Sequence, residues 1–138
     1  ASMASAFANK GTLYAPHVVH AIIDPTTKQE KIVSGEKVRT NIINRANLET
    51  VQLGMKDCID TGPCGVLRSL PFSVAGKTGT AQWNAEKDTH AWFTSFAPFN
   101  NPQIVVTIML EEGGEGSRTA SHVAADFYRW WGNYTGKR

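Results

Sequence analysis

Val74-Ala75-Gly76-Lys77-Thr78-Gly79-Thr80-Ala81-Gln82 leaves a short apolar run and enters a polar one. Phe72, Val74 and Ala75 give it a strand-like lead-in. On an extended backbone Thr78 and Thr80 put their hydroxyls on one side, two residues apart, while Lys77 points the other way and Gly79 has no side chain. A cation, two hydroxyls and a glycine at a strand edge suit an anion such as a carboxylate. The cation supplies charge, the hydroxyls donate hydrogen bonds, and the glycine lets a ligand backbone approach closely. Taken alone, Lys77-Thr78-Gly79 also describes a solvated strand end, so its meaning rests on its surroundings.

Those surroundings carry a resemblance. Gly76-Lys77-Thr78-Gly79-Thr80-Ala81-Gln82 resembles the third motif of the penicillin-binding proteins. His90-Ala91-Trp92-Phe93-Thr94-Ser95-Phe96-Ala97-Pro98 and Asn101-Pro102-Gln103-Ile104-Val105-Val106-Thr107-Ile108 resemble the next two strands of that family. Glu112-Gly113-Gly114-Glu115-Gly116-Ser117 resembles the loop before its last helix. Upstream, Met3-Ala4-Ser5-Ala6-Phe7-Ala8-Asn9-Lys10-Gly11-Thr12-Leu13-Tyr14-Ala15-Pro16-His17 is similar too. The resemblance covers nearly the whole chain in order. It is closest to the class B enzymes, and within them to the elongation-type penicillin-binding protein 2 branch. The role of the triplet comes from this family's motif set, not from spacing.

The resemblance implies an α+β fold, an antiparallel sheet flanked by helices, as part of the penicillin-binding, β-lactamase-like serine transpeptidase fold. It implies D,D-transpeptidase activity in peptidoglycan synthesis, in which a serine takes the acyl group from a D-Ala-D-Ala stem peptide and passes it to an amine. β-Lactams would acylate the same serine. Lys77 and Thr80 match catalytic positions, the backbone N–H of Thr80 being one of two oxyanion donors. Lys77, Thr78, Gly79 and Thr80 match the substrate-binding positions. No cofactor is implied, because serine acyl transfer needs none. The implied place is the outer face of the bacterial cytoplasmic membrane, with a membrane glycosyltransferase as partner.

Two motifs of the family need separate treatment. No Ser-x-Asn or Tyr-x-Asn occurs in the chain. Ser34-Gly35-Glu36-Lys37 does match the nucleophile motif Ser-x-x-Lys. That motif needs the start of a buried helix, where serine and lysine face each other one turn apart and the lysine is desolvated. Here a glycine follows the serine, the neighbours are charged, and Val38 to Ile43 reads as extended, so Ser34 is expected to be a decoy. The chain is therefore expected to be the C-terminal portion, 1–138, of one transpeptidase domain, with the nucleophile on a preceding segment of the same protein. Ala1 is not an initiator Met and the chain opens inside a helical pattern, which fits that expectation. An open sheet edge predicts self-association of the isolated chain.

The 138 residues are 41% hydrophobic, a globular composition. The net charge of +2, spread without basic runs, argues against nucleic acid. No apolar stretch reaches the ~18 residues that would mark a membrane span. Helices are expected over Ser2–Asn9, Ala46–Ile59 and Ser117–Trp131. In the first, Met3 and Phe7 share a face; in the last, Val123, Phe127, Trp130 and Trp131 are expected to pack on the sheet. Strands are expected over Val18–Ile23, with Lys31-Ile32-Val33 returning as a hairpin, and over Phe72–Gln82, Ala91–Pro98 and Ile104–Leu110. The strand from His90 should lie beside the triplet strand, and the last two strands should pair antiparallel.

Cys58 and Cys64 flank a Gly-Pro turn and fit either a disulfide or two inert thiols. His17, His20, His90 and His122 lack metal-site spacing. The four tryptophans read as core and sheet cover, with Trp83 a candidate wall of the site, and Glu111-Glu112 as a solvated strand end. Rival activities on the same motif are a serine β-lactamase or D,D-carboxypeptidase and a β-lactam-sensing receptor domain.

Overall fold

A computed structural model describes residues 1–136. In chain order the elements are α1 (Ser2–Ala8), β1 (Leu13–Tyr14), β2 (Ala21–Ile23), β3 (Glu30–Ile32), β4 (Lys37–Arg39), α2 (Arg45–Asp60), a 3-10 turn (Gly65–Ser69), β5 (Ala75–Ala81), β6 (His90–Ala97), β7 (Ile104–Leu110) and α3 (Ala120–Thr135). The main sheet has the order β5-β6-β7, antiparallel throughout, as the short connections require. β1 with β4 and β2 with β3 form two small antiparallel pairs.

Alternation along β6 divides the main sheet into two faces. Ala91, Phe93, Ser95 and Ala97 are all fully buried. Phe93 clusters with Ala124, Tyr128 and Trp131 of α3 and with Leu67, Val74 and Ile59. The small residues Ala120, Ala124 and Ala125 let α3 settle onto the strands. Phe72 completes the cluster, its ring edge-on to Trp131 at 5.3 Å. On the other face Phe96 packs with Ala75, Met55 of α2 and Ala8 of α1.

α2 starts where the Asn44 side chain accepts the Ala46 N–H at 2.9 Å, satisfying one free helix-end donor. It stops at Thr61-Gly62-Pro63. Cys58 and Cys64 form a disulfide there, which ties the last turn of α2 to the 3-10 turn leading into β5.

Several expectations are corrected. The strand Val18–Ile23 shrinks to Ala21–Ile23, because its partner supplies only Glu30–Ile32. Leu13–Tyr14 is a strand missed in the sequence, formed because the extended Lys37–Arg39 pairs with it. α3 begins at Ala120, after turns built on Glu115 and Gly116 carbonyls, and not at Ser117. Val123 and Trp130 face outward, and Tyr128, with Trp131, does the packing assigned to them. Met3 and Phe7 do share a face of α1 and line one cleft, Met3 being 66% exposed and Phe7 half-buried, while Ala4, Ala6 and Ala8 are buried. The apolar residues of α2 do not all face inward: Leu48, Met55 and Ile59 are buried, while Val51 and Leu53 are exposed.

Candidate active site

β5 is an edge strand, and Lys77 to Thr80 lie in its middle. The register sets Lys77 opposite Thr94, Thr78 opposite Phe93, Gly79 opposite Trp92 and Thr80 opposite Ala91. Lys77 and Gly79 therefore share the α1/α2 face with Thr94, and Thr78 and Thr80 share the α3 face with Phe93 and Ala91, the split the sequence implied. The Lys77 side chain does not stay on its own face. It curls over the open edge, and its Nζ donates to Thr78 O at 2.8 Å and lies 3.4 Å from Thr78 Oγ1. The Thr78 carbonyl thus points away from β6. Carbonyls alternate between the two edges of a strand, so Thr80 also turns its N–H and C=O outward. The result is one ammonium, two hydroxyls and an outward backbone pair along about two residues of free edge.

β5 is backed from the α3 side. Gly116 of the loop between β7 and α3 sits so close that an added Cβ would lie 2.6 Å from Gly79 O and 2.2 Å from Trp92 O. Only glycine fits. Gly76 is similarly confined, since its Cβ would fall 2.5 Å from Phe93 Cζ. Beneath that pair, Ser95 Oγ and Tyr128 Oη lie 3.0 Å apart and fully buried. Burial pushes the Tyr128 phenol well above its ordinary pKa, partly offset by the Ser95 hydrogen bond. On the opposite face a cleft of about 410 Å³ opens beside Lys77 and Thr94, lined by Met3, Phe7, Val51 and Met55. The Thr94 and Thr107 hydroxyls meet there at 2.9 Å.

The hairpin after the triplet holds features that the sequence did not disclose. Trp83 stacks on His90, with ring centroids 5.1 Å apart and planes 14° apart. Lys87 Nζ lies 4.9 Å from the Trp83 ring and pairs with Glu112 at 2.8 Å. Glu112 is exposed, as a solvated strand end should be, but it is paired: its partner Lys87 sits 25 residues away in the β5–β6 hairpin. Trp83, Trp92 and Trp130 are exposed, against the expected core role, and only Trp131 is buried. The pairing depends on the β5–β6 register, which the spacing of residues 82–90 does not give.

Ser34, Gly35 and Glu36 lie in no helix, and Lys37 begins β4. Ser34 and Lys37 are both exposed, so the one-turn helical approach that Ser-x-x-Lys requires is not formed here. Among the described residues, no three His, Cys, Asp or Glu side chains gather as metal ligands.

A family model described as the penicillin-binding protein transpeptidase domain matches residues 1–129. The peptidoglycan D,D-transpeptidase MrdA of Haemophilus influenzae is 30% identical over 152 residues, taking in 87% of this chain and 21% of that protein. MrdA of Escherichia coli K12 is 42% identical over a shorter 62 residues, 35% of this chain and 10% of that protein. The D,D-transpeptidase domain of a peptidoglycan glycosyltransferase from Eggerthella lenta shares the fold, with a TM-score of 0.82 at 24% identity over 98% of this chain and 31% of that one. Penicillin-binding protein 2 of Helicobacter pylori, solved in complex with MreC, gives a TM-score of 0.70 at 25% identity over 93% of this chain and 22% of that one. The chain spans about a fifth to a quarter of the length of the curated relatives it matches over most of its own. With the strand order, the edge position of Lys77-Thr78-Gly79-Thr80 and the matched range in agreement, the chain belongs to the penicillin-binding protein transpeptidase family.

Proposed function

We propose that residues 1–138 form the C-terminal portion of a transpeptidase domain and supply the substrate-binding wall of a serine peptidoglycan D,D-transpeptidase. The observation that carries this reading is the gathering of the Lys77 ammonium onto Thr78 at an open strand edge, 2.8 Å from its carbonyl and 3.4 Å from its hydroxyl. A terminal carboxylate of D-Ala-D-Ala, or the carboxylate of a β-lactam, meets one cation and the Thr78 and Thr80 hydroxyls there. A unit charge pair at ~4 Å is worth about 4 kcal/mol at an effective dielectric of 20.

In the reaction, a serine oxygen supplied by a preceding segment attacks the carbonyl between the two D-alanines. The carbonyl oxygen takes up the negative charge, and the outward N–H of Thr80 donates to it. A donor of this kind is worth about 2.7–4 kcal/mol of barrier. The C–N bond then breaks, free D-alanine leaves with the proton, and the acyl group remains on the serine. An amine of a second stem peptide attacks that ester, and the serine oxygen recovers its proton. Gly79 keeps the strand surface low where the ligand backbone lies. The reaction belongs on the outer face of the cytoplasmic membrane, where the substrate is. MrdA of H. influenzae bears the name of this activity at 30% identity, which favours transpeptidase over the β-lactamase, carboxypeptidase and sensor readings. A membrane glycosyltransferase that makes the glycan strand is the natural partner.

Intact-mass spectrometry after incubation with a reactive penicillin tests the reading. The isolated chain should gain no adduct, and the full-length protein should gain one, mapping outside residues 1–138. Adding an acceptor amine should yield a cross-linked peptide and not only hydrolysis. An adduct on Ser34 of the isolated chain would overturn the assignment of the nucleophile to a preceding segment.

A further inference from the structure

The loop that backs Gly79 is fastened at its far end by a histidine. His90 opens β6, and its Nδ1 accepts the backbone N–H of Glu112 at 3.1 Å. The proton of the neutral ring therefore sits on Nε2, with Nδ1 free to accept. The ring is braced by its stack on Trp83. Three further contacts lace the same two segments together. Lys87 pairs with Glu112 at 2.8 Å, the Gly114 N–H donates to Thr89 O at 2.9 Å, and the Thr89 hydroxyl donates to Gly114 O at 2.9 Å. From there the loop runs two residues on to Gly116, pressed against the backbone of Gly79 and Trp92. One end of a short glycine-rich loop is held by His90, and the other sets the height of the strand between Thr78 and Thr80.

We propose that His90 is a positioning residue for the β5 site, acting only as the neutral imidazole through its bond to Glu112. This rests on the transpeptidase reading above. A second proton would enter at Nδ1 and turn the acceptor into a donor facing the Glu112 N–H, leaving two donors opposed. The charged groups on the elements meeting at His90 are Glu86, Lys87 and Asp88 on the hairpin and Glu111 and Glu112 on the turn after β7. The carboxylate of Glu112 is taken by Lys87, and Ala81, paired with His90 across the strands, carries no charge. The latch is therefore closed with the neutral ring and opens when the ring takes up a second proton.

The test uses the full-length protein, with two variants and two readouts. His90→Asn offers an amide oxygen near the Nδ1 position that cannot titrate. His90→Phe keeps an aromatic ring against Trp83 but offers no acceptor. The ratio of wild-type to His90→Asn penicillin acylation rates should fall as the pH is lowered from 8 to 5.5, because only the wild-type ring can take up a proton. His90→Phe should acylate slowly at both. The second readout needs no penicillin: amide hydrogen exchange over residues 111–116, corrected for intrinsic rates. Protection there should drop with pH in the wild type, hold in His90→Asn, and be low throughout in His90→Phe. Parallel acylation profiles for wild type and His90→Asn, or pH-independent protection of 111–116 in the wild type, overturn the proposal. A protein that takes no penicillin yet shows the protection change overturns the transpeptidase reading and leaves the latch in place.

Discussion

Gly116→Ala is the perturbation that most directly asks whether the loop supports the site. The new Cβ would lie 2.2 Å from Trp92 O, 2.6 Å from Gly79 O and 3.2 Å from Gly79 N. Carbon–oxygen contacts settle near 3.3 Å, so the shortest of these falls about 1 Å short. All three atoms are backbone, in a pair of residues facing each other across the β5–β6 ladder, so no side chain can swing aside. Relief has two routes. The loop can lift, which strains the bond from Ser121 N–H to Gly116 O at 2.9 Å that seats the start of α3, or β5 can part from β6 at Gly79. Overpacking of this kind costs about 1–3 kcal/mol, and the absence of a yielding neighbour puts the expected loss near the upper end. The rate should fall on the order of 100-fold, about 2.7 kcal/mol of barrier and comparable to the loss of stability, because a shift of ~1 Å in a positioning element costs about that much. The assay is the second-order rate of penicillin acylation of the full-length protein, with its melting temperature alongside. Gly114→Ala is the control: its φ of +73° makes any side chain strained, but nothing lies within 4 Å. It should lose about 1–2 kcal/mol and keep its acylation rate within a few-fold. If Gly116→Ala acylated like the wild type with an unchanged melting temperature, the loop would not be seated on Gly79 and the backing argument would be wrong.

Lys77→Ala, at an exposed position, should leave the melting temperature unchanged while slowing acylation on the order of 100-fold or more; a loss under tenfold would remove Lys77 from the site. Reducing the Cys58–Cys64 bond, which closes a loop of sequence separation 6, should cost about 2 kcal/mol by loop-closure entropy. Calorimetry with and without reductant measures this, and identical transitions would refute it. Burial raises the Tyr128 phenol pKa in the folded state. Above pH ~10 the unfolded chain gives up that proton and the folded one keeps it, so the unfolded state binds fewer protons and stability falls as pH rises. Denaturant midpoints between pH 9 and 11 should drop for the wild type, and the slope should flatten in Tyr128→Phe; equal slopes would exclude Tyr128 as the cause.

Legibility followed the range of the interactions. β7 was readable to the residue, Ile104–Leu110, because β-branched residues run between two turn signals. α2 was readable because an apolar periodicity runs up to a Thr-Gly-Pro stop, although its Asn44 cap and first residue Arg45 were not. β1 was not, because two residues become a strand only when β4 arrives to pair with them. The Lys77-Thr78-Gly79-Thr80 segment could be identified and its faces assigned by alternation. That Lys77 crosses to Thr78 was not legible, since a long flexible side chain is free of the face its Cβ starts from. His90 was hardest: the strand was predicted but the acceptor role was not, because its donor lies 22 residues on, in a different turn.

The two faces of the sheet place different demands on Lys77 and on its neighbours. The α3 face is closed, with Phe93, Ser95 and Tyr128 fully buried, and through Gly116 that closure extends to the backbone of Gly79. An edge strand, ordinarily free to bend, is thereby held at a fixed height, as the proposed oxyanion donor at Thr80 requires. The α1/α2 face is the opposite case. There the root of Lys77 borders a cleft of about 410 Å³ lined by Met3, Phe7, Val51 and Met55, and left open. A lysine beside apolar surface gains electrostatic strength when that surface is covered, since a charge pair at ~4 Å rises from about 1 kcal/mol in water to about 4 kcal/mol at an effective dielectric of 20. On the proposed reading, the closed face sets the geometry of the site and the covering of the open face sets its electrostatic strength. The strand at Lys77 is where both conditions have to be met.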